Sequence, residues 1–331
     1  MTLDAALKPH DRLAAALSDD LAQVTQTLHD YMQSDYAPRI PQVSAHLIDA
    51  GGKRLRPMLT VAAARLCGYT GPHHIHLAAT VEFIHTATLL HDDVVDESKQ
   101  RRGRPTANLL WDNMSSVLVG DYLFSRAFQL MTVTGSMPIL AALADASATI
   151  AEGEVLQLTT ARDLGATADT YIRVARGKTA ALFSAATKVG AMLADVSAAQ
   201  VQAMHDYGDA LGIAFQIADD LLDYTGTDAI GKNRGDDLRE GKLTLPVIYA
   251  LAQADADERI FWERTIGKGD VGDDDLAEAL RIMTRHGALA ETAAEARRWS
   301  ARAKAALQAL PDQPLRDMLA DLADFVVERL S

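Results

Sequence analysis

An Asp-Asp-x-x-Asp run occurs twice in this chain. It appears as Asp92-Asp93-Val94-Val95-Asp96 and again as Asp219-Asp220-Leu221-Leu222-Asp223, each closing an apolar stretch of helical periodicity. On a helix the first and fifth residues of such a run share a face one turn apart. Each run therefore presents a pair of carboxylates about 6 Å apart on one surface. Hard divalent cations seek clustered carboxylate oxygens, and Mg²⁺ takes one or two of them plus oxygens of a substrate phosphate. Two facing clusters suggest several Mg²⁺ ions gripping one diphosphate. Asp makes up 34 of the 331 residues, so a solvated acidic helix end would account for one such run. Two runs with matching apolar lead-ins are much harder to attribute to chance.

The rest of the composition favours an all-α globule. The chain is 48% hydrophobic and rich in Ala and Leu, with only 5% aromatics and few alternating β-branched runs. Helix-period segments with short breaks, and no linker, predict a single-domain bundle of roughly ten or more helices over residues 1–331. Turn signals fall at Gly71-Pro72, Thr134 to Pro138, Leu164-Gly165, Gly267 to Gly269 and Pro311 to Pro314. Ser136 to Arg162 and Ser197 to Tyr224 read as long helices with little polar face, hence central. The segment Thr225–Gly241, rich in Gly, Asp and Lys, follows the second acidic run and suits a loop that closes over a charged ligand.

A single cysteine, Cys67, excludes an internal disulfide framework and fits a reducing cytoplasm. No 18-residue apolar run spans a membrane, and Asp4, Lys8 and Asp11 do not read as a signal peptide. Net charge of −13 disfavours nucleic acid and anionic membrane as partners. Yet Lys53, Arg54, Arg56, Arg101, Arg102 and Arg104 cluster around the first acidic run, as a metal–diphosphate site requires.

The flanks of the two runs add further motifs. They are Gly51-Gly52-Lys53-Arg54-Leu55-Arg56-Pro57, Glu97 to Thr106 with Arg101-Arg102-Gly103, Gly177-Lys178-Thr179, Phe215-Gln216, and Gly231 to Lys242. As a set they resemble the trans-isoprenyl diphosphate synthases, most closely the long-chain bacterial branch of octaprenyl and decaprenyl diphosphate synthases. The motif-bearing part covers about residues 45–260, and no motif position departs from the family pattern. The resemblance implies an isoprenoid-synthase bundle around a central active-site cavity and prenyltransferase activity. It also implies isopentenyl diphosphate and an allylic diphosphate (farnesyl or geranylgeranyl) as substrates, Mg²⁺ at about three ions per active site, and a homodimer. The product would be handed to a membrane for a quinone side chain.

Individual residues follow. Lys53 and Arg56 lie near a helix N-terminus with Pro57 in its first turn, a setting that favours a phosphate anion. By resemblance Lys53, Arg56 and Arg102 hold isopentenyl diphosphate, Arg101 holds the allylic diphosphate, and Arg54 and Arg104 are ordinary exposed cations. His85 is two turns before Asp92 on nearly the same face. Spacing alone favours a core histidine, whereas the resemblance makes His85 a contact to isopentenyl diphosphate. His91 precedes the Asp pair as in an HD phosphohydrolase dyad, but no other His and Asp stand at convincing spacing, so a structural role or one supporting the ligands is expected. Lys178-Thr179 interrupts an apolar helix, and a buried Lys at a kink needs an anion partner. By resemblance Lys178, Thr179 and Gln216 line the carbocation region, and Lys178, Lys232 and Lys242 bind diphosphate. Asp92, Asp93, Asp96, Asp219, Asp220 and Asp223 form the metal set, with Asp92, Asp96 and Asp219 as direct Mg²⁺ ligands and Asp93, Asp220 and Asp223 in support.

The implied reaction ionises the allylic C–O bond, lets the isopentenyl double bond attack, and loses a proton to the departing diphosphate. Below Asp92 the helix carries Thr88, Ala87, Ile84 and Thr80. Short-chain relatives place bulky aromatics at the positions of Ala87 and Thr88, so here a growing chain should pass. Phe83, Phe128 and Met131 are candidates for a deeper floor. Two other readings compete, a class I terpene cyclase and a non-catalytic subunit of a heteromeric synthase. The DDLLD run and the GGKRLRP motif speak against the first, and two intact acidic runs speak against the second.

Overall fold

Helical periodicity is realised along the chain. The computed structural model describes residues 7–101, 103–226 and 234–328. In order, its helices begin with α1 (Pro9–Ala16), α2 (Ser18–Tyr31), α3 (Arg39–Ile48), α4 (Leu55–Leu66) and α5 (His73–Val95). They continue with α6 (Ala107–Leu110), α7 (Asn113–Val133), α8 (Met137–Thr160), α9 (Ala168–Ala175), α10 (Ala181–Met192) and α11 (Ala198–Thr225). The last are α12 (Asp236–Arg239), α13 (Leu245–Gln253), α14 (Ala256–Trp262), α15 (Asp275–Arg285), α16 (Ala288–Ala306) and α17 (Pro314–Glu328). Among the described residues the only sheet is an antiparallel hairpin of β1 (Gln100–Arg101) and β2 (Arg104–Pro105). The fold class is all-α. No helix of the described residues is long and apolar enough to cross a membrane.

Local chemistry explains where helices start and stop. Asp112 caps α7 by accepting from the Ser115 N–H at 2.6 Å, and Thr167 caps α9 by accepting from Thr170. Asp255 and Glu258 form a reciprocal capping box at α14. All five turn signals fall at helix boundaries, with Pro138 and Pro314 in the first turns of α8 and α17 and Gly267 ending the π-turn Glu263–Gly267. The two long segments fold as α8 and α11, within two residues of the expected limits. Their expected central position holds for α11, where Leu211, Ile213, Ala214, Ile217 and Ala218 have almost no exposure. It does not hold for α8. Met137, Val155 and Leu158 there are 70, 60 and 59% exposed, because the apolar residues of α8 extend beyond the side that faces its core.

The chain divides into two compact units. One takes in Met1–Ser147, Leu182–Gly208 and Leu307–Leu319; the other takes in Ala148–Ala181, Asp209–Ala306 and Ala320–Ser331. In the first, α5 packs against α2, α4 and α7, burying Leu77, Val81, Phe83, Ile84 and Leu90 completely. Each such side chain contributes about 1.5–3 kcal/mol of transfer free energy. In the second, Tyr224, Val247, Trp262, Ile282 and Met283 form the core. There α8 meets the turn after α9 at two glycines. A Cβ on Gly153 would lie 2.6 Å from the Lys178 nitrogen, and one on Gly177 would lie 2.7 Å from the Gly153 Cα. Only two bare backbones allow this approach.

An ion pair ties α2 to the core of the first unit. Arg65 grips Asp20 in bidentate fashion at 2.7 and 2.8 Å, and His74 Nε2 lies 3.1 Å from the same carboxylate. The Arg65 hydrogen bonds hold the Asp20 pKa below its ordinary value of 3.8, against the cost of burial. Asp20→Ala leaves Arg65 with only the Tyr69 carbonyl at 3.2 Å and should cost about 1–3 kcal/mol. Because the folded pKa is depressed, the contribution is full above the ordinary carboxylate range and fades as pH falls below it. Thermal melts should show a gap between wild type and Asp20→Ala at pH 7 that narrows by pH 3. A gap independent of pH contradicts the assignment.

Candidate active site

In the first unit, the basic turn before α4 is built on an unusual backbone. Gly51, Gly52 and Arg54 take φ of 78, 150 and 41°, a left-handed course that two glycines allow at little cost. Arg54 pays the strain, and its guanidinium anchors the turn by donating to Thr25 Oγ1 at 2.5 Å and the Ile48 carbonyl at 3.4 Å. It is not the exposed cation expected from sequence. Lys53 precedes the helix and is exposed. Arg56 lies on α4, with its guanidinium 4.6 Å over the Phe183 ring and Nη1 3.2 Å from His85 Nε2. Arginine is donor-only, so a hydrogen bond in this contact has the His85 nitrogen accepting.

The first acidic run ends α5, with Asp96 as the capping residue. Asp92 is half-buried and Asp96 exposed, but Asp93 has no exposure. Arg101, on β1, donates to Asp93 Oδ1 at 2.7 Å. Burial raises the Asp93 pKa, with the Arg101 charge opposing. Asn108 and the Ser98 N–H donate to the Asp93 carbonyl, and Thr106 donates to the Ser98 carbonyl. The hairpin is thus stitched to the end of α5. His91 fits a notch at Gly120 and contacts the Val117 carbonyl at 3.2 Å. Arg102 and Lys232 lie outside the described residues.

In the second unit, the expected kink at Lys178 is a π-turn, Arg176–Ala180. Lys178 is only partly buried. Its anion partner is Glu154 of α8 at 2.9 Å, with Gln157 at the same distance. Thr179 Oγ1 donates to Gln216 Oε1 at 2.6 Å, and Gln216 Nε2 donates to Asp220 Oδ1 at 2.7 Å. The Tyr171 hydroxyl donates to Asp220 Oδ2 at 2.5 Å. Burial pushes the Asp220 carboxyl up to about 7, with the Tyr171 hydrogen bond opposing. Burial, then Asp220 itself, raises the Tyr171 pKa. Asp219 and Asp223 are half-buried, and Asp223 Oδ2 accepts from the Asp237 N–H at 3.2 Å. Arg234 donates to the Tyr224 carbonyl, and Lys242 pairs with Glu240. Arg234 and the first turn of α12 are therefore joined to the end of α11.

Both runs share one pattern: the second Asp is buried against donors of the protein, and the first and fifth are more open. Among the described residues no three carboxylate, imidazole or thiolate groups converge into a closed cage. Mg²⁺ does not need one, since it keeps waters and takes substrate oxygens beside one or two carboxylates. The open Asp92, Asp96, Asp219 and Asp223 fit that ion.

Of the residues expected to limit chain length, Phe83, Ile84, Ala87 and Met131 have no exposure. Thr88 is half-buried and its hydroxyl donates to the His85 carbonyl. Phe128 does not join them. It is 43% exposed, with its ring 6.2 Å from Phe124, because it falls outside the buried stripe of α7 that includes Ala127, Leu130 and Met131. Sequence reasoning missed Tyr171, Glu154, Gln157 and Phe183. Helical spacing was the available signal for two of these: Tyr171 precedes Lys178 by two turns, and Glu154 and Gln157 are one turn apart.

Residues 37–283 match the family model described as Polyprenyl synthetase. The chain is 44% identical over 320 residues to the octaprenyl diphosphate synthase of Escherichia coli strain K12, covering 96% of this chain and 98% of that protein. A decaprenyl diphosphate synthase from Rhodobacter capsulatus shares its structure with a TM-score of 0.94 at 67% identity, covering 97% of this chain and 99% of that one. A polyprenyl synthase from Caulobacter crescentus, crystallised with calcium and isoprenyl diphosphate, aligns with a TM-score of 0.93 at 51% identity over 97% and 98% of the two chains. With two intact acidic runs, a basic turn set against His85 and relatives matched over nearly their whole length, the chain belongs to the polyprenyl synthetase family.

Proposed function

We propose that the chain is a long-chain all-trans-polyprenyl diphosphate synthase. It condenses isopentenyl diphosphate repeatedly with an allylic diphosphate to a product of about octaprenyl to decaprenyl length (about 40–50 carbons), for a quinone side chain. The observation that carries the long-chain reading is the strip of α5 between His85 and Asp92, where Ala87 and Thr88, one turn before the acidic run, are small side chains and neither is a bulky aromatic. The names of the relatives support it. Because the family model runs through residues 37–283, we treat the two units as one catalytic domain. Neither the cyclase nor the non-catalytic-subunit reading gains support, since both acidic runs and the GGKRLRP motif are intact.

Lys53, Arg56 and Arg102 bind the isopentenyl diphosphate, with His85 beside Arg56. Arg101, Lys178, Lys232 and Lys242 bind the allylic diphosphate. Asp92, Asp96 and Asp219, with Asp223 beside Asp219, would hold Mg²⁺. When bound, the ion supplies Lewis-acid polarisation of the leaving diphosphate. Thr179 and Gln216 line the carbocation region; closure of Thr225–Gly241, of which residues 227–233 lie outside the described residues, is the sequence-based expectation for excluding the water that would quench it. A homodimer is supported by the apolar stripe of α7, where Met114 and Leu118 are 74 and 66% exposed. A cytoplasmic setting is supported by the single buried thiol of Cys67, whose pKa burial pushes up to about 11.

The reading is tested with the purified chain, labelled isopentenyl diphosphate and farnesyl or geranylgeranyl diphosphate. Chromatography of the dephosphorylated products should show alcohols of octaprenyl to decaprenyl length. A product that stops at geranylgeraniol, or a cyclic hydrocarbon, refutes it.

Three variants follow. Asp92→Ala should lose orders of magnitude in turnover yet melt no lower than wild type, because a repelling charge is removed. Near-normal turnover in saturating Mg²⁺ sinks that ligand. Arg56→Ala should mainly raise KM for isopentenyl diphosphate, and Lys242→Ala should mainly raise KM for the allylic substrate. Each effect should be roughly 10- to 150-fold, as a charge-assisted contact of about 1.5–3 kcal/mol implies. Equal weakening of both substrates by both variants contradicts the division of roles. An Ala87→Phe/Thr88→Phe double variant should shift products to about three or four isoprene units, with overpacking costing about 1–3 kcal/mol. Thin-layer chromatography reads this directly. A folded, active double variant with unchanged product length would mean that the chain grows along another face.

A further inference from the structure

Tyr171 belongs to none of the recognised motifs, yet it is the end point of the hydrogen-bond chain that holds Thr179 and Gln216. The chain has a fixed direction. Thr179 gives its only hydroxyl proton to Gln216 Oε1, Gln216 gives an amide proton to Asp220 Oδ1, and Tyr171 gives its proton to Asp220 Oδ2. Every proton points toward Asp220, which is 7% exposed. Each oxygen of that carboxylate holds one donor, so the group is fixed in rotation. The fixed carboxylate requires the NH₂ end of Gln216, and the amide must then offer its oxygen to Thr179. With its proton committed to Gln216, Thr179 Oγ1 presents lone pairs on its free side.

The π-turn explains why Tyr171 and Thr179 reach the same helix. Eight residues of regular α-helix would set them about 80° apart, whereas the one residue absorbed by a π-turn brings them to about 20°. Gln216 and Asp220 are themselves one turn apart on α11. Two helical faces are therefore matched at two points, Thr179 to Gln216 and Tyr171 to Asp220.

We propose that Tyr171 and Asp220 form an anchor that fixes Gln216, and through it Thr179, so that electron-rich oxygen rather than a hydroxyl proton faces the reacting carbon. Tyr171 is then a positioning residue for the condensation, and Asp220 serves the anchor rather than the metal. This rests on the polyprenyl-synthase reading above.

The test is a double-variant cycle in the full chain with Tyr171→Phe, Gln216→Ala and their combination. Tyr171→Phe removes one oxygen and keeps the ring. It should lower kcat by about tenfold or more, the effect of losing a charge-assisted hydrogen bond. KM for isopentenyl diphosphate and the Mg²⁺ concentration for half-maximal rate should stay near wild type, with kcat read at a temperature well below the melting point of every variant, since the Asp220 oxygen left without Tyr171 lowers stability as well. Because Tyr171 acts through Gln216, the combined variant should be no slower than Gln216→Ala alone. Unchanged kcat in Tyr171→Phe, fully additive losses, or a raised Mg²⁺ requirement would each overturn the anchor while leaving the synthase reading intact. A wild-type chain that makes no prenyl product in the same assay would overturn that reading and the anchor with it.

Discussion

Three carboxylates within one helical turn repel one another, and both acidic runs depend on how that repulsion is contained. In each, the second Asp is turned inward and given donors from the protein. Asp93 receives Arg101, and Asp220 receives Tyr171 and Gln216. Burying a carboxylate without partners would cost several kcal/mol. With partners it becomes a fixed point at the end of the helix. The first and fifth Asp are then left on the open side of the same turn, as the spacing of the run requires.

The local architecture around each run follows from that fixed point. Arg101 can reach Asp93 because the β1–β2 hairpin folds back on α5, stitched there by Thr106 and Asn108. A residue carried over as a diphosphate ligand is thereby held in place before any substrate arrives. Around Asp220 the same logic recruits α9, whose π-turn aligns Tyr171 and Thr179, and the Gly153–Gly177 contact that sets Lys178 beside Glu154. Pre-positioned charge of this kind costs no reorganisation at the moment of reaction.

Much of this was legible from residue order. Helical period and turn residues located α8 and α11 within two residues, and the polar Lys178-Thr179 pair in an apolar helix marked the π-turn. Spacing grouped the six Asp positions and put Asp92, Asp96 and Asp219 forward as direct ligands with Asp93, Asp220 and Asp223 in support, but it did not show what anchors Asp93 and Asp220. That anchoring depends on Arg101 and Tyr171, which reach the runs through tertiary contacts. Arg54 looked like a spare surface cation because nothing in its neighbours shows that the backbone there is left-handed. The surface position of α8 was also hidden. An exposed apolar face reads in sequence like a buried one, and Met137, Val155 and Leu158 gave no polar contrast. Phe128 misled for the same reason on α7.

The division of labour between inward and outward Asp is tested most directly by metal binding. Mn²⁺ bound in the presence of a non-cleavable allylic diphosphate analogue can be counted by electron paramagnetic resonance in single variants. The account predicts that Asp92→Asn and Asp219→Asn each lose bound Mn²⁺, whereas Asp93→Asn and Asp220→Asn retain the wild-type number. Loss of Mn²⁺ from folded Asp93→Asn and Asp220→Asn, equal to that from the outward pair, would contradict it.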